Sequence, residues 1–396
     1  MKIGKQGRLR KVFLLAGMIL SLCASSIHQT AEAAPAAIGT HARASALIDV
    51  ESGRLLYSSR GDTPMRIASL TKIMTAIVAI ENGNLTDMVK VSKRAFGKEG
   101  SSIYLKLGEE MSLSNLLYGL MLRSGNDAAT AIAEHVGGSE EGFVYLMNQK
   151  ALELGLANSH FMNPHGLDAE GHYSSANDLA KLTAYALRNK VFAEIVATKV
   201  KSAPNPNEKW DYRWHNKNKM LNMYDGADGV KTGYTKKALR CLVSSATRNG
   251  QKLAAVTIND GDDWADHRRL LDWGFQHYPL HSIVKRGDDI AGYPYAVGQD
   301  FNYPLESSET GSIHTALHLI EPTSIAYRLG ERGSLVISMN NSPIGSVPVY
   351  EPGSARLQQQ TKPEASNKTM QQFRHAERND HSIGRRVRQT IEGWFD

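Results

Sequence analysis

Ile67-Ala68-Ser69-Leu70-Thr71-Lys72-Ile73-Met74-Thr75 opens the stretch that decides the fold. It runs on to Glu81, apolar almost throughout and without Gly or Pro. A helix that is apolar on every side has to be buried. Ser69 and Lys72 stand at i and i+3, so they share one helix face. An ammonium in apolar surroundings is desolvated and its pKa falls. A neutral lysine next to a serine hydroxyl is a base beside a nucleophile. Ser-x-x-Lys by itself is common by chance. Its place at the start of a buried helix gives it weight.

Upstream of this helix, residues 45–57 hold two apolar runs around Glu51-Ser52-Gly53 and read as a β-hairpin. Downstream, residues 112–136 begin at Ser112, a candidate N-cap, and carry Leu113, Leu116, Leu117, Leu120 and Met121 at helical spacing. Ser124-Gly125-Asn126 interrupts this helix, which resumes from Ala128 to His135. A hydroxyl and an amide inserted there point into a shared cavity. They can relay a proton and hold a substrate amide. Standing alone, the triplet would serve equally well as a helix terminus capped by Asn. Residues 176–188 form a further helix, capped near Ser175.

After Gly229 the pattern turns to strands. Val230–Thr232 reads as a short strand, and Arg240–Ala246 with Lys252–Ile258 as a hairpin around Arg248-Asn249-Gly250. Residues 262–276 look helical, with Trp264, Leu270, Leu271, Trp273 and Phe275 on the apolar face. Lys231-Thr232-Gly233 puts a cation and a hydroxyl on a strand, which suits a ligand ending in a carboxylate. Gly233 lets an extended peptide come close to the strand. From about residue 283 the helical signal is gone and short β-like runs such as Ser334–Met339 and Gly345–Tyr350 alternate with Gly, Pro and Ser.

The two ends carry different messages. Lys2, Lys5, Arg8, Arg10 and Lys11 precede the apolar run Val12–Cys23 and then Ala31-Glu32-Ala33, the order of a secretory signal peptide. The run is short for a permanent membrane span. A lipidated Cys23 is disfavoured by the bulky Leu22 before it. The last stretch, 382–396, has Ile383, Val387, Ile391, Trp394 and Phe395 on one stripe, with Arg385, Arg386 and Arg388 between. Such a helix suits a membrane interface, or docking on the protein itself. The polar, Gln-rich residues 352–381 read as a linker. The net charge is +6 over 396 residues. Five of the basic residues but one acidic residue lie in the first 33, so the remainder is close to neutral. That balance gives no argument for nucleic-acid binding. Of two cysteines, Cys23 leaves with the signal, so Cys241 has no partner for an internal disulfide and reads as a core residue. His135 and His172 lack partners at metal-ligand spacing, so no metal site is expected. His165 reads as a loop-fixing residue.

Ser-x-x-Lys, Ser-x-Asn and Lys-Thr-Gly in this order form a far more specific signature than any one of them. The chain resembles the low-molecular-weight penicillin-binding proteins that are serine D-alanyl-D-alanine carboxypeptidases. The resemblance covers roughly residues 40–280. It includes the stretch from Ile67 and Met121-Leu122-Arg123-Ser124-Gly125-Asn126-Asp127-Ala128-Ala129. It also takes in Asn163-Pro164-His165-Gly166-Leu167 with Gly171-His172-Tyr173-Ser174, and Asp228-Gly229-Val230-Lys231-Thr232-Gly233-Tyr234-Thr235. Asp228–His267 looks most like members that act during spore formation. The fold it implies is α+β: a transpeptidase/β-lactamase-like domain of antiparallel sheet and helices, then a small β-rich domain and a C-terminal amphipathic helix. The expected divisions are a signal peptide 1–33, the peptidase domain 34–281, the β-rich domain 282–351, the linker 352–381 and the helix 382–396.

The resemblance also implies roles. Ser69 is the acyl-ester nucleophile, Lys72 the proton acceptor and Ser124 the relay to the departing amine. Asn126 holds the peptide amide, and Lys231 and Thr232 bind the terminal carboxylate. Gly233 lies beside the peptide, and the backbone N–H groups of Ser69 and Tyr234 form the oxyanion hole. No cofactor is required. The partners are a peptidoglycan stem peptide ending in D-Ala-D-Ala, β-lactams as covalent inhibitors, and a membrane surface for 382–396. The implied place is outside the cytoplasm, on the outer face of the cytoplasmic or forespore membrane. Many relatives have Gly near Leu239, so the cleft rim is expected to differ here. A β-lactamase would need a deacylating Glu in a Glu-x-x-Leu-Asn pattern, which is missing between Asn126 and Lys231. A D,D-endopeptidase and a non-hydrolysing wall or antibiotic sensor are the other readings.

Overall fold

The structure is a computed structural model that describes residues 38–358. The signal peptide, residues 359–381 of the linker and the helix at 382–396 expected from the sequence lie outside the described residues. The described chain forms two compact units, 38–281 with Tyr303–Gly311, and 282–302 with 312–358.

The first unit is built on a five-stranded antiparallel sheet. Its strands are β1 (Ala44–Asp49), β2 (Leu55–Ser59), β3 (Ala227–Thr235), β4 (Leu239–Arg248) and β5 (Gln251–Ile258), in the order β2-β1-β5-β4-β3. The hairpin expected at 45–57 is β1–β2, and the one at Asn249-Gly250 is β4–β5. Asn249 and Gly250 both take positive φ, 49° and 81°, which matches the twist of a two-residue hairpin turn. β3 is longer than Val230–Thr232. Asp228, Gly229 and Gly233 hide it from propensity, but pairing with β4 holds it from Ala227 to Thr235.

Side-chain alternation divides the sheet between two cores. Ala46, Ile48, Val243, Val256 and Ile258 face the helical lobe. Leu47, Leu242, Leu253 and Ala255 face Leu270 and Leu271 of the helix Asp263–His277. Both faces are covered, so β1 is buried at every position, Ser45 and Asp49 included.

Helix α1 (Thr71–Asn82) follows a 3₁₀ turn, Ala68–Leu70, and is buried from Thr71 to Ala79. The helix expected at 112–136 needs correction: the Ser-Gly-Asn triplet does not sit inside one helix. Ser112 caps Leu113–Tyr118, a π turn follows over Gly119–Arg123, and α2 (Asn126–Gly137) starts afresh. Ser124 at φ 65° is left-handed, which no α-helix continues through. Ser175 caps Ala176–Leu187 as expected. The helix Glu140–Glu153 is new. Its buried positions include Lys150, an apparent break in the stripe, which is paired with Glu81 at 2.8 Å and Glu153 at 2.6 Å.

The second unit carries a four-stranded sheet of β6 (Ala296–Val297), β7 (Ile313–Leu319), β8 (Glu331–Met339) and β9 (Ser342–Tyr350), ordered β6-β9-β8-β7. Val297, Leu335, Ile337, Val347 and Val349 form its core. Residues 303–311, inside the segment 282–351, belong to the first unit. Leu305 is buried there with its N–H on the Pro279 carbonyl. Arg54 donates to the Pro304 carbonyl and pairs with Glu309.

Candidate active site

The site grows out of the turn that precedes α1. Ala68 sits at φ 48°, a costly conformation for a side-chain-bearing residue, and presents the half-buried Ser69 at the start of the helix. Two glycines let other segments reach this turn. At Gly166 a side chain would run into the Ala68 carbonyl. At Gly233 a Cβ would stand 3.2 Å from both the Ile67 oxygen and the Ser69 nitrogen. Strand β3 and the loop at 162–172 thus clasp the turn from two sides.

Lys72 is fully buried and makes three contacts through Nζ. Asn126 Oδ1 lies at 2.7 Å, the His165 carbonyl oxygen at 2.5 Å and Ser69 Oγ at 3.1 Å. Burial, then the charges of Lys231 and Lys217, hold its pKa well below the ordinary ammonium value, with Asp127 opposing. A neutral amine has two N–H bonds and one lone pair. Asn126 Oδ1 and the His165 carbonyl can only accept, so they take the two N–H bonds. The lone pair is left for the Ser69 hydroxyl. The Asn126 amide cannot turn over, because its Nδ2 donates to the Glu99 carbonyl at 2.6 Å. The arrangement can therefore draw a proton off Ser69 without any further base.

The other candidates gather around this pair. Ser124 Oγ is buried and has no hydrogen-bond partner among the described residues. Asn126 N–H is held by the Ser101 carbonyl at 2.7 Å. Lys231 is buried, donates to the Thr232 carbonyl at 2.7 Å, and is pushed down to about 7 by burial and by Lys217. Thr232 and Gly233 are half-buried on β3, and Tyr234 is 63 % exposed. Leu239, the position at which the sequence led us to expect a different cleft rim, has φ 60° and is exposed.

Histidines fix the surroundings. His172 Nδ1 accepts from Met162 N–H, so its Nε2 carries the proton and donates to Thr71 Oγ1 at 2.8 Å. Thr71 in turn donates to the Ala68 carbonyl at 2.9 Å. Burial brings His172 down to about 4, so this chain stays neutral. His165 Nδ1 accepts from Leu167 N–H, and its carbonyl holds Lys72. Cys241 is buried opposite Gly233, with its thiol raised to about 12 by burial, so it is no nucleophile.

Sequence reasoning missed several residues. Glu99 and Ser101 act through backbone carbonyls, which leave no mark in a sequence. Asp127 gathers Ser102 Oγ and the N–H groups of Ile103 and Leu105, anchoring the loop that carries Ser101. Asp168 accepts from Thr235 Oγ1 at 3.2 Å and faces Arg66 at 3.6 Å, linking the loop to both sides of the clasp. Lys217 stands in Asn216-Lys217-Asn218-Lys219, where nothing distinguishes it.

Fold and site together define a serine acyl-transfer enzyme of the penicillin-recognising class. Residues 28–262 match the peptidase S11 family, D-alanyl-D-alanine carboxypeptidase, and the chain belongs to that family. It is 35 % identical to D-alanyl-D-alanine carboxypeptidase DacF of Bacillus subtilis over 316 residues, 78 % of this chain and 81 % of the relative. Over 305 residues it is 35 % identical to DacC of Escherichia coli, covering 73 % and 75 % of the two chains. Among solved structures, penicillin-binding protein 5 of Haemophilus influenzae superposes with a TM-score of 0.66 at 26 % identity, covering 80 % of this chain and 98 % of that one. The protein is a serine D,D-carboxypeptidase that acts on peptidoglycan, as the resemblance implied.

Proposed function

We propose that the protein removes the terminal D-alanine of peptidoglycan pentapeptides through an acyl-enzyme on Ser69. Lys72 accepts the Ser69 proton as Oγ attacks the carbonyl of the penultimate D-alanine. The N–H groups of Ser69 and Tyr234 receive the developing oxyanion; losing one such donor commonly costs about 10²–10³ in rate. Ser124 carries the proton to the departing amine as the peptide bond breaks. Lys231 and Thr232 hold the terminal carboxylate. Water, deprotonated by the same Lys72, then releases the shortened peptide and frees Ser69. The observation that carries this reading is the set of three contacts on Lys72 Nζ, which leaves its lone pair for Ser69. Asn126 acts first by holding Lys72, and its position at the cleft lets its remaining N–H meet the peptide.

Trimming removes the donor for cross-linking, so the enzyme would limit cross-links in wall or spore cortex. The likeness of Asp228–His267 to sporulation-associated members supports the cortex. The N-terminal pattern supports export, and the stripe at 382–396 supports attachment to the outer face of the cytoplasmic or forespore membrane. Recovery in the soluble fraction both with and without residues 382–396 would count against attachment.

The deciding experiment is D-alanine release from a synthetic peptide ending in D-Ala-D-Ala, with wild type beside Ser69→Ala. Release that vanishes in the variant is the expected result. A wild type that is labelled by penicillin yet releases nothing would move the assignment to an endopeptidase or a sensor.

A further inference from the structure

Asn126 Nδ2 carries two N–H bonds, and the Glu99 carbonyl takes one of them at 2.6 Å. The scheme above gives the other to the peptide. There the scissile carbonyl belongs to the N–H groups of Ser69 and Tyr234, and the terminal carboxylate to Lys231 and Thr232. The acceptor left for Asn126 is the carbonyl of the residue that precedes the D-Ala-D-Ala pair. Two acceptors on one NH2 group, about 120° apart at ordinary hydrogen-bond lengths, stand about 5 Å from each other. That residue of the peptide is thus a direct neighbour of Glu99. Gly100 keeps the approach open, since at φ 89° a Cβ there would lie 2.7 Å from Asn126 Nδ2. Glu99 is exposed and forms no ion pair among the described residues. The other acids around the site are engaged. Asp127 is buried and holds Ser102, Ile103 and Leu105, Asp168 faces Arg66 and Thr235, and Glu140 pairs with Lys98 at 3.4 Å.

We propose that Glu99 sets substrate preference: its carboxylate receives a side-chain ammonium on the residue that precedes D-Ala-D-Ala. This deepens, and rests on, the reading of Ser69, Lys72 and Asn126 given above. The chemistry of cross-linking says why the peptide carries such a group. A cross-link forms when an amine on one stem attacks the penultimate D-alanine carbonyl of another and displaces the terminal D-alanine. Each stem therefore has to offer an amine on a side chain, and the residue next to the pair is the one that Glu99 reaches. Before cross-linking that amine is an ammonium. Once joined it is an uncharged amide. A carboxylate beside it favours the ammonium, so the enzyme would trim stems whose amine is still free in preference to stems already joined through it. The surroundings need this carboxylate. Lys217 Nζ lies 3.3 Å from Ser101 Oγ, on the loop that carries Glu99, and by itself would repel a cationic substrate.

The test is D-alanine release by the full chain from two tripeptides. Both are lysine followed by D-Ala-D-Ala with the α-amine acetylated; in one the ε-amine is free, in the other it is acetylated. The readout is the ratio of the two kcat/KM values for wild type, Glu99→Gln and Glu99→Lys, which cancels any change common to both peptides. An exposed ion pair is weak, so the wild type should prefer the free amine about threefold to fivefold. Added salt should shrink that preference, because an exposed pair is screened. In Glu99→Gln the ratio should fall to one or below, and in Glu99→Lys it should invert. The backbone carbonyl that holds Asn126 is kept in both variants. A wild type that treats the two peptides alike, or a Glu99→Gln variant with the wild-type ratio, overturns the proposal. A wild type that releases D-alanine from neither peptide overturns the reading of Ser69 and Lys72, and this inference with it.

Discussion

In the proposed scheme Lys72 serves as the base because of what surrounds it. Burial, then the charges of Lys231 and Lys217, favour the neutral amine over the ammonium, and two oxygens that can only accept leave its lone pair facing the Ser69 hydroxyl. Lys231, equally buried, has the opposite task in that scheme, since a carboxylate ligand would need it charged. In the free protein its pKa of about 7 means that its charge is lost as pH rises through neutrality. A bound carboxylate favours the ammonium and moves that loss upward. Accordingly kcat/KM, which reports the free enzyme, should fall above about pH 7, while kcat, which reports the complex, should persist to higher pH. Parallel profiles of the two parameters for a D-Ala-D-Ala peptide check this, and an identical alkaline limb in both would count against it. Ser69, Lys72, Asn126 and Lys231 were legible because motif order and an apolar helix mark them. The His165 and Glu99 carbonyls were not, because any residue type supplies a carbonyl.

The same division holds for elements. The hairpins and the helices α1 and Ala176–Leu187 announce themselves through period, caps and a turn signal. The π turn and the left-handed Ser124 do not, because the residues before Ser124 keep helical spacing up to the break. Nor does the clasp at 162–172, whose residues carry part of the family resemblance but do not say that the loop closes on Ala68. Its fit is visible at Gly166, with φ 82° and the Ala68 carbonyl lying where a Cβ would stand. Replacing Gly166 with Ala should cost about 1 kcal/mol for the left-handed backbone alone. The new methyl group must also push aside the turn that holds Ser69. The expected outcome is a lower melting temperature together with slower acylation of Ser69, measured on the same samples. Loss of stability with an unchanged acylation rate would show that the loop supports the fold without setting the turn.

At the scale of the whole molecule, the helix Asp263–His277 brings His267 against the sheet, between Ser244 at 2.5 Å and Thr257 at 3.0 Å. Burial lowers His267 to about 3 and His172 to about 4, from an ordinary 6.5. Both are neutral in the folded chain and take up protons near pH 6.5 once unfolded. Between those values the unfolded state binds more protons, so stability is full above pH 6.5 and is lost as pH falls toward 4 and 3. Thermal melts from pH 7 to 4 should show this decline, and His267→Gln should flatten it. A slope unchanged by that substitution would assign the decline to other groups.

The sequence by itself determined the chemistry and most of the local structure. Motif identity and order, hydrophobic period and capping residues are properties of neighbours in the chain. Only the tertiary structure decided the rest. Pairing of β1 with β5 sets Ile48 against Ala254 across some two hundred residues, and through β4 it carries β3 to the turn that holds Ser69. That closure buries Lys72 and Lys231 and seats residues 303–311 on the first unit. Protonation follows from burial and from charges nearby in space, and those distances exist only once the chain has closed on itself.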